Sequence, residues 1–277
     1  MSGRARAGGL LALFALGAAA PARADDAAPA SHYDIGLYIW GTSVSTHVET
    51  SDGDVSEHIS FSELLKHLNG GLQGHARGEW GNWSLDLDGS YARLSGDNVS
   101  KVIRLGPRGG VQIGAEVKSQ LDEWIVEANA GYRLLTLGSP FSSRPSDTRK
   151  FRAELYGGLR YWSVDPKIQV HVASPGSALK VRLGDREQWL DPTVGLRFAT
   201  DLSSTVVFRV SGDVGGFNIG NYCSDFTWSQ ITALSWGFSE SWTAHVGYKF
   251  LDFHRDSGST NERVQTRGPF IALSYGF

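Results

Sequence analysis

The chain has 277 residues with 26 basic and 29 acidic side chains, and its formal charge of −3 provides no basic surface for nucleic acid. The single cysteine, Cys223, excludes an intrachain disulfide, and no Cys/His spacing typical of a metal site is present, so we expect neither metal nor cofactor. Glycine (34) and tryptophan (9) are plentiful, which favours a closed sheet with interfacial aromatic anchors over a helical bundle.

The N-terminus has the pattern of an export signal. Arg4 and Arg6 precede a short apolar run from Leu10 to Leu16, and Ala22-Arg23-Ala24 fits an A-x-A cleavage site. The apolar run is too short to cross a bilayer as a helix, and no later run approaches the required length of about 20 apolar residues.

Three segments are therefore expected: a signal peptide over 1–24, a short linker over 25–31 and a single barrel domain over 32–277. Removal of the signal peptide takes away three arginines and leaves 23 basic against 29 acidic residues, a net charge of −6.

Beyond the linker the dominant hydrophobic period is two, which is typical of β-strands. Some strand pairs meet at short connections such as Gly81-Asn82 and Ser239-Glu-Ser241, whereas the links between pairs are long and polar. Because bacterial barrels combine short periplasmic turns with long outer loops, we expect a closed antiparallel up-and-down barrel of about ten strands, with eight to twelve allowed. The predicted strands are 32–48, 70–80, 82–95, 118–136, 150–163, 187–200, 204–214, 226–238, 241–253 and 266–277.

Two outer links resemble hairpins that extend beyond the membrane. They turn at Gly106-Pro-Arg-Gly-Gly110 and at Ser174-Pro-Gly-Ser177, and a count of twelve applies if either hairpin folds independently. In the first outer link, residues 62–68 predict a short helix with Ser60 or Ser62 as its N-cap.

One face of the predicted strands is apolar and nearly free of charge, as hydrocarbon requires. It includes Trp83, Leu85, Leu87, Trp124, Val126, Ala128, Ala130, Tyr132, Phe151, Ala153, Leu155, Leu159, Leu190, Val194, Leu196, Phe198, Val206, Phe208, Val210, Trp242, Ala244, Val246, Tyr248 and Phe250. Aromatic residues near the short turns predict a periplasmic girdle made of Trp80, Trp83, Phe198, Phe238, Trp242 and Phe277.

The opposite face is rich in charge. In a soluble sandwich this face would form the core, where each unpaired charge costs several kcal/mol of desolvation, so a watery barrel lumen is favoured. The predicted lumen charge network contains Asp34, His75, Arg77, Asp86, Asp88, Glu127, Arg133, Arg152, Glu154, Arg160, Asp191, Arg197, Arg209, Asp213, His245 and Lys249, with Glu79 on the same face.

The last strand resembles the C-terminal strand of bacterial outer-membrane β-barrel proteins, which ends in an aromatic residue after alternating hydrophobic residues. Here the matching residues are Ile271, Leu273, Tyr275 and Phe277. The resemblance implies recognition by the barrel-assembly machinery and a location in the outer membrane, in contact with its lipid and lipopolysaccharide.

The chain is also similar to a poorly characterised group of proteobacterial barrels, for which no reaction is implied. The matching segments are Phe61-Ser-Glu-Leu-Leu65, Trp189-Leu-Asp-Pro-Thr-Val-Gly-Leu-Arg197, Gly212-Asp-Val-Gly-Gly-Phe217, Asp225-Phe-Thr-Trp228, Gly247-Tyr-Lys249 and Gly268-Pro-Phe270.

Two groups of polar residues are candidates for chemistry. Asp213, Asp252 and His254 fall near the predicted outer rim, where two carboxylates and a histidine can activate water. Asp252 and His254 share the lipid-facing parity of their strand, however, so a rim charge cluster is the favoured interpretation. His75 with Asp86 and Asp88 can form an acid–base or metal group, but a salt-bridge network that fixes the barrel shape is the favoured reading.

We expect a barrel without catalysis that acts as a narrow passive conduit for small solutes or ions, or as a structural or surface element. The alternative is an outer-membrane hydrolase acting on lipid or peptide at the rim. A third hypothesis, a binder of external ligands through residues 49–69 and 163–186, has no supporting motif.

Overall fold

The computed structural model describes residues 31–50, 53–96, 99–105, 111–138, 140, 148–174, 177–183, 185–219, 222–256 and 260–277. The expected signal peptide and all but the last residue of the expected linker lie outside these ranges. Within them, no helix is long and apolar enough to cross a membrane.

The strands in the described ranges all belong to one antiparallel sheet, which has fourteen of them. In chain order, they and the single described helix are β1 (Ser31–Trp40), β2 (Ser43–Thr50), β3 (Gly53–Ile59), α1 (Phe61–His67), β4 (Leu68–Trp80), β5 (Trp83–Ser95), β6 (Val99–Leu105), β7 (Val111–Gly138), β8 (Lys150–Ser174), β9 (Ser177–Leu183), β10 (Glu187–Asp201), β11 (Val206–Gly215), β12 (Phe226–Gly237), β13 (Trp242–Asp256) and β14 (Thr260–Gly276).

Ten of these strands close into a ring. Their order is β1-β4-β5-β7-β8-β10-β11-β12-β13-β14, and β14 pairs back with β1 from Asp34 opposite Gly276 to Trp40 opposite Phe270. Because the ring is closed, its strands have no free edge, which is the condition for a sheet to span lipid. The predicted closed antiparallel barrel of ten strands is confirmed.

The two ends of the ring differ. One end, here called the turn end, carries Ser31, Phe277 and the short connections at 81–82, 202–205 and 238–241. The opposite, hairpin end carries β2, β3, β6 and β9, which pair only with extensions of β14, β7 and β8 or with each other. Both hairpins inferred from the long links are present, since β6 pairs with β7 and β9 pairs with β8.

The first predicted strand, 32–48, is wrong as a single element. It is interrupted at Gly41-Thr42, between β1 and β2, although both strands pair with β14. At the interruption Gly41 donates a backbone hydrogen bond to the carbonyl of Pro269 at 2.8 Å, and Pro269 has no N–H to return. The ladder is therefore irregular at this point.

The predicted helix is present one residue earlier than expected, over Phe61–His67, with Ser60 as its N-cap. The Ser60 side chain does not cap it; instead the Ser60 carbonyl accepts hydrogen bonds from the backbone N–H groups of Glu63 (3.1 Å) and Leu64 (2.9 Å). Leu64 is the buried side chain of this helix.

The outer surface of the ring is apolar. Leu37 and Ile39 are 64% and 66% exposed, and large hydrophobic side chains continue around the ring at alternate positions. All six residues of the predicted aromatic girdle are exposed near the turn end. Ala153 is the exception among the predicted lipid-facing residues, because this small side chain is buried at 6% exposure.

Candidate functional site in the barrel lumen

The inner face of the ring is polar and charged. Arg160 and Asp191 are 0% exposed, and Glu127, Glu154 and Asp213 are also buried, although all five are ionisable. Alternation along each strand places these side chains inside while their neighbours in sequence face outward. The lumen is therefore the candidate site, and its contacts can be followed from the turn end upward.

At the turn end, arginines pair with acids at the mouth of the lumen. Arg133 Nη2 donates to Glu79 Oε2 at 2.7 Å, and Arg77 Nε donates to Glu79 Oε1 at 2.8 Å. Arg152 forms an ion pair with Asp201, the last residue of β10, which lies just beyond the predicted strand 187–200.

The next layer joins strands that are not neighbours. Arg77 binds Asp86 through Nη1 at 2.7 Å and Glu154 through Nη2 at 2.7 Å. Arg197 binds the same two acids, reaching Asp86 at 3.0 Å, and its guanidinium lies 4.9 Å from the centre of the Tyr156 ring. These bonds link β4, β5, β8 and β10 across the lumen, so they restrain the shape of the ring.

Arg160 forms a third layer. Its Nε donates to Glu127 at 3.0 Å and its Nη2 donates to Asp213 at 2.8 Å. Asp213 also accepts the hydroxyl of Tyr156 at 3.1 Å, and Thr227 accepts a hydrogen bond from Arg160 Nη1 at 3.2 Å. The buried cation is thus matched by two carboxylates, as burial of charge requires.

Lys249 lies at the same height of the lumen as Arg160, on the opposite side of the ring. Its ammonium lies 3.1 Å from Asp88, which also accepts the hydroxyl of Tyr38 at 2.9 Å. The ammonium lies 5.6 Å from the Tyr38 ring centre and 5.1 Å from that of Trp40. This arrangement combines an ion pair with cation–π contacts.

The suggested group of His75 with Asp86 and Asp88 does not form. His75 Nε2 instead lies 3.3 Å from Asp34, while Asp86 and Asp88 bind other cations. His245 forms hydrogen bonds with the hydroxyls of Ser235 and Ser274, both at 2.9 Å. Across the described ranges, no group of three or more His, Cys, Asp or Glu side chains is placed to hold a metal ion.

Besides His245, two members of the predicted network face the lumen without an oppositely charged partner among the described residues. Asp191 is held by the Trp162 indole at 2.9 Å and by the backbone N–H and hydroxyl of Ser224 at 2.6 and 2.9 Å. Arg209 makes no ion pair in this part of the chain, and its buried Nε has no hydrogen-bond partner there. Arg209 therefore lies in the lumen as expected, but it lacks the ion pair that the other arginines of the network make among the described residues.

Toward the hairpin end, an apolar layer fills the lumen above the charged layers. Rings in this layer contact each other across the barrel: Trp162 and Trp189 have centroids 5.5 Å apart, and Phe253 lies 4.9 and 5.2 Å from them. These three side chains come from β8, β10 and β13, and β13 is not a neighbour of either of the others. The apolar layer consists of Trp40, Ile125, Trp162, Trp189, Leu251 and Phe253, all at or below 6% exposure.

The hydrolase candidate is not assembled. Asp213 lies in the lumen on Arg160, whereas Asp252 has the outward parity of β13 and binds Arg263 at 3.0 Å. His254 is opposite Arg263 in the β13–β14 register and shares the parity of Asp252. The two carboxylates therefore occupy opposite faces of the sheet and cannot act on one water molecule.

Below the apolar layer the lumen contains a cavity of about 290 Å³. Residues of the turn end, including His32, Glu240 and Gly276, line it, so its opening is at that end. A second cavity of about 290 Å³ adjoins it and shares Arg77, Arg197, Arg209 and His32.

Sequence reasoning missed the apolar layer and the hydroxyl groups that complete the network. The alternation along each strand could have revealed the apolar layer, because its aromatic residues face the same side as known lumen residues. Trp162 shares the side of Arg160, Trp189 that of Asp191, and Phe253 that of Lys249. Tyr38, Tyr156 and Ser84 could have been found in the same way; Ser84 donates to Glu154 at 3.0 Å.

Among solved structures, the outer membrane protease OmpT from Escherichia coli is similar, with a TM-score of 0.52 at 11% identity, over 89% of this chain and 96% of that chain. The chain folds as a bacterial outer-membrane β-barrel. The translocator domain of the autotransporter NalP from Neisseria meningitidis (TM-score 0.34, 11% identity, 88% of each chain) and Neisserial surface protein A (0.31, 10%, 90% of this chain and 99% of that chain) are less similar. No protein-family model and no curated protein matches the sequence.

The outer-membrane barrel thus has its apolar surface in lipid and its charged surface inside. By the usual asymmetry of such barrels, the turn end faces the periplasm and the hairpin end faces the exterior. At identities near 11%, the likenesses establish the fold and leave the activity to the residues of this chain.

Proposed function

We propose that this outer-membrane barrel is a non-conducting structural and surface element without catalysis of its own. The observation that carries the proposal is the contact of Trp162, Trp189 and Phe253 across the lumen, with ring centroids 4.9 to 5.5 Å apart. Rings at these distances leave no room for water between them, so solutes cannot pass this height.

The charged layers beneath support the same proposal. Arg160 is fully buried between Glu127 and Asp213, and Lys249 reaches Asp88 from the other side of the ring. A conducting lumen holds charges that exchange with water and ions, whereas these charges are occupied by one another. The narrow-conduit alternative is therefore disfavoured.

The strands at the hairpin end support a role at the cell surface. β7 has 28 residues and β8 has 25, which at about 3.3 Å per residue gives lengths of about 80 to 90 Å. A tilted strand crosses the hydrocarbon with about 9–11 residues. More than half of each strand thus lies outside the hydrocarbon. The strands β6 and β9, which pair with these outer parts of β7 and β8, extend the sheet there.

Charged side chains on the outer surface support contact with lipopolysaccharide. Asp122 is on the same outward-facing side of β7 as Trp124, two residues away. It forms an ion pair with Lys167 at 2.7 Å and a second ion pair with Arg93. The side chains of Arg93 and Lys167 are 48% and 44% exposed, so both can also reach lipid phosphates. We propose that Arg93→Gln with Lys167→Gln lowers the lipopolysaccharide that copurifies with the folded barrel, and unchanged copurification would refute this contact.

The proposal is tested by ion flux through vesicles that contain the purified barrel. The wild type should produce no discrete conductance steps in planar bilayers and no dye release, while a triple variant with Trp162, Trp189 and Phe253 changed to alanine should have a higher permeability. The folded fraction in the same vesicles is measured by heat-modifiable migration, which establishes that silent samples contain inserted protein. Discrete currents from the wild type would overturn the proposal.

A further inference from the structure

Arg209 differs from Arg77, Arg160 and Arg197 in its surroundings. In the strand register, Arg77 stands opposite Asp86, Arg160 opposite Glu127, and Arg197 opposite Glu154. Arg209 stands between Ala199 on β10 and Ala233 on β12.

The two alanines supply no hydrogen-bond acceptor and leave space beside the guanidinium. Within the described residues, the Nε of Arg209 is buried and has no hydrogen-bond partner, and no carboxylate lies within ion-pair distance of its guanidinium. Arg209 as a whole is only partly buried, so its guanidinium can be reached from the cavities, and an anion that binds it supplies the missing counter-charge.

The charged groups around Arg209 are already engaged with each other. Its electrostatic neighbours are two acids, Asp34 and Glu79, and two cations, Arg77 and Arg152. Asp34 lies on His75, and Glu79 accepts hydrogen bonds from Arg77 and Arg133. Glu79 is thus shared by two other arginines, and neither Glu79 nor Asp34 places a carboxylate oxygen within ion-pair distance of Arg209.

Arg209 is accessible from the lumen, and the cavity between it and the periplasm has an excess of positive charge. Arg209 lines both lumen cavities, each of about 290 Å³, near the lower end of the range for small-ligand pockets. Five arginines and two glutamates line the cavity nearer the periplasm: Arg77, Arg133, Arg152, Arg197 and Arg209 against Glu79 and Glu154. With the apolar layer above, the lumen is a blind pocket open to the periplasm.

We propose that this pocket binds a small oxyanion, a phosphate or carboxylate group, on the guanidinium of Arg209. The planar fork of an arginine matches two oxygens of such a group with parallel N–H···O bonds. His32, which lines both cavities, stands at the mouth as a further donor. The site goes beyond the surface role proposed above and does not require that any solute crosses the barrel.

The test uses thermal unfolding of the full barrel in non-ionic detergent, with inorganic phosphate compared with chloride at equal ionic strength. Phosphate should raise the unfolding midpoint of the wild type progressively with concentration, because a ligand that binds only the folded state stabilises it. Acetate in place of phosphate determines whether a carboxylate suffices. An equal midpoint in phosphate, acetate and chloride would overturn the proposal.

Two variants assign the effect to Arg209. Arg209→Gln should weaken phosphate binding about tenfold or more, since one charged hydrogen-bonding group is lost. Ala233→Asp keeps Arg209 but places a carboxylate directly opposite it, and should abolish the phosphate shift while Ala233→Asn retains it. Arg255→Gln, at a lumen-facing arginine on Trp189 beyond the apolar layer, is the matched control and should keep the shift. A full shift in Arg209→Gln or in Ala233→Asp would refute the site.

Discussion

Replacement of Arg160 by methionine should strongly destabilise the folded barrel. Arg160 is 0% exposed, and its guanidinium is the cation that faces both Glu127 at 3.0 Å and Asp213 at 2.8 Å. Methionine fills much of the volume of the arginine stem but leaves two buried carboxylates without their counter-charge. Removal of one partner from a buried ion pair costs about 3–5 kcal/mol, and that is the expected loss in free energy of unfolding.

The assay is urea unfolding of the barrel in lipid vesicles, followed by tryptophan fluorescence and by heat-modifiable migration. Arg186→Gln is the matched control, because Arg186 pairs with Asp165 at 3.1 Å but is 55% exposed. An exposed pair of this kind contributes less than about 1 kcal/mol.

A triple variant tests the cause of the loss. Adding Glu127→Gln and Asp213→Asn to Arg160→Met removes the unpaired charges, and should recover a large part of the lost stability. If Arg160→Met costs no more than Arg186→Gln, the charged layers do not stabilise the ring, and the reasoning applied to the lumen is wrong.

Three further outcomes are expected. Cys223 should react with a membrane-impermeant maleimide on intact cells. The reaction should become faster as pH rises, because the thiolate is the nucleophile and burial raises the pKa of this thiol. A cysteine placed in the 202–205 turn of a Cys223→Ser chain should stay unlabelled, and the reverse labelling pattern would mean that the barrel has the opposite orientation. Gly268→Ala should lower the urea midpoint, since the added Cβ would overlap a backbone carbonyl at the β1–β2 junction, and an unchanged midpoint would contradict that contact. Phe277→Ala should reduce the folded barrel recovered from membranes more than Tyr33→Ala does, although both remove the ring contact at 5.9 Å; equal losses would limit Phe277 to a packing role.

The ring itself could be predicted because each strand carries its own signal. Alternation places Leu196 outward and Arg197 inward without knowledge of any partner strand, and the observed β10 agrees. Short turns then determine which strands pair. The break at Gly41 could not be predicted in this way, because it depends on Pro269, which lies in the last strand of the ring.

Contacts across the lumen could not be predicted because they depend on how the sheet closes. Arg77 reaches Glu154 and Lys249 reaches Asp88 between strands that are not neighbours, and the stagger of a closed barrel decides such pairs. The same limit explains the unnoticed isolation of Arg209. Two alanines opposite an arginine become informative only when the register is known.

The central claim, that the charged face is enclosed and the apolar face meets lipid, can be tested at two adjacent residues of β12. Ala233 is 7% exposed in the lumen and Leu234 is 43% exposed on the outer surface. Spin labels on single cysteines at these positions, in a Cys223→Ser chain reconstituted in lipid, can be compared by their relaxation with dissolved oxygen and with a water-soluble nickel complex. We expect the label at 234 to relax strongly with oxygen and not with nickel, and the label at 233 to be shielded from the oxygen-rich lipid. The opposite order, or equal relaxation at both positions, would contradict an enclosed charged face.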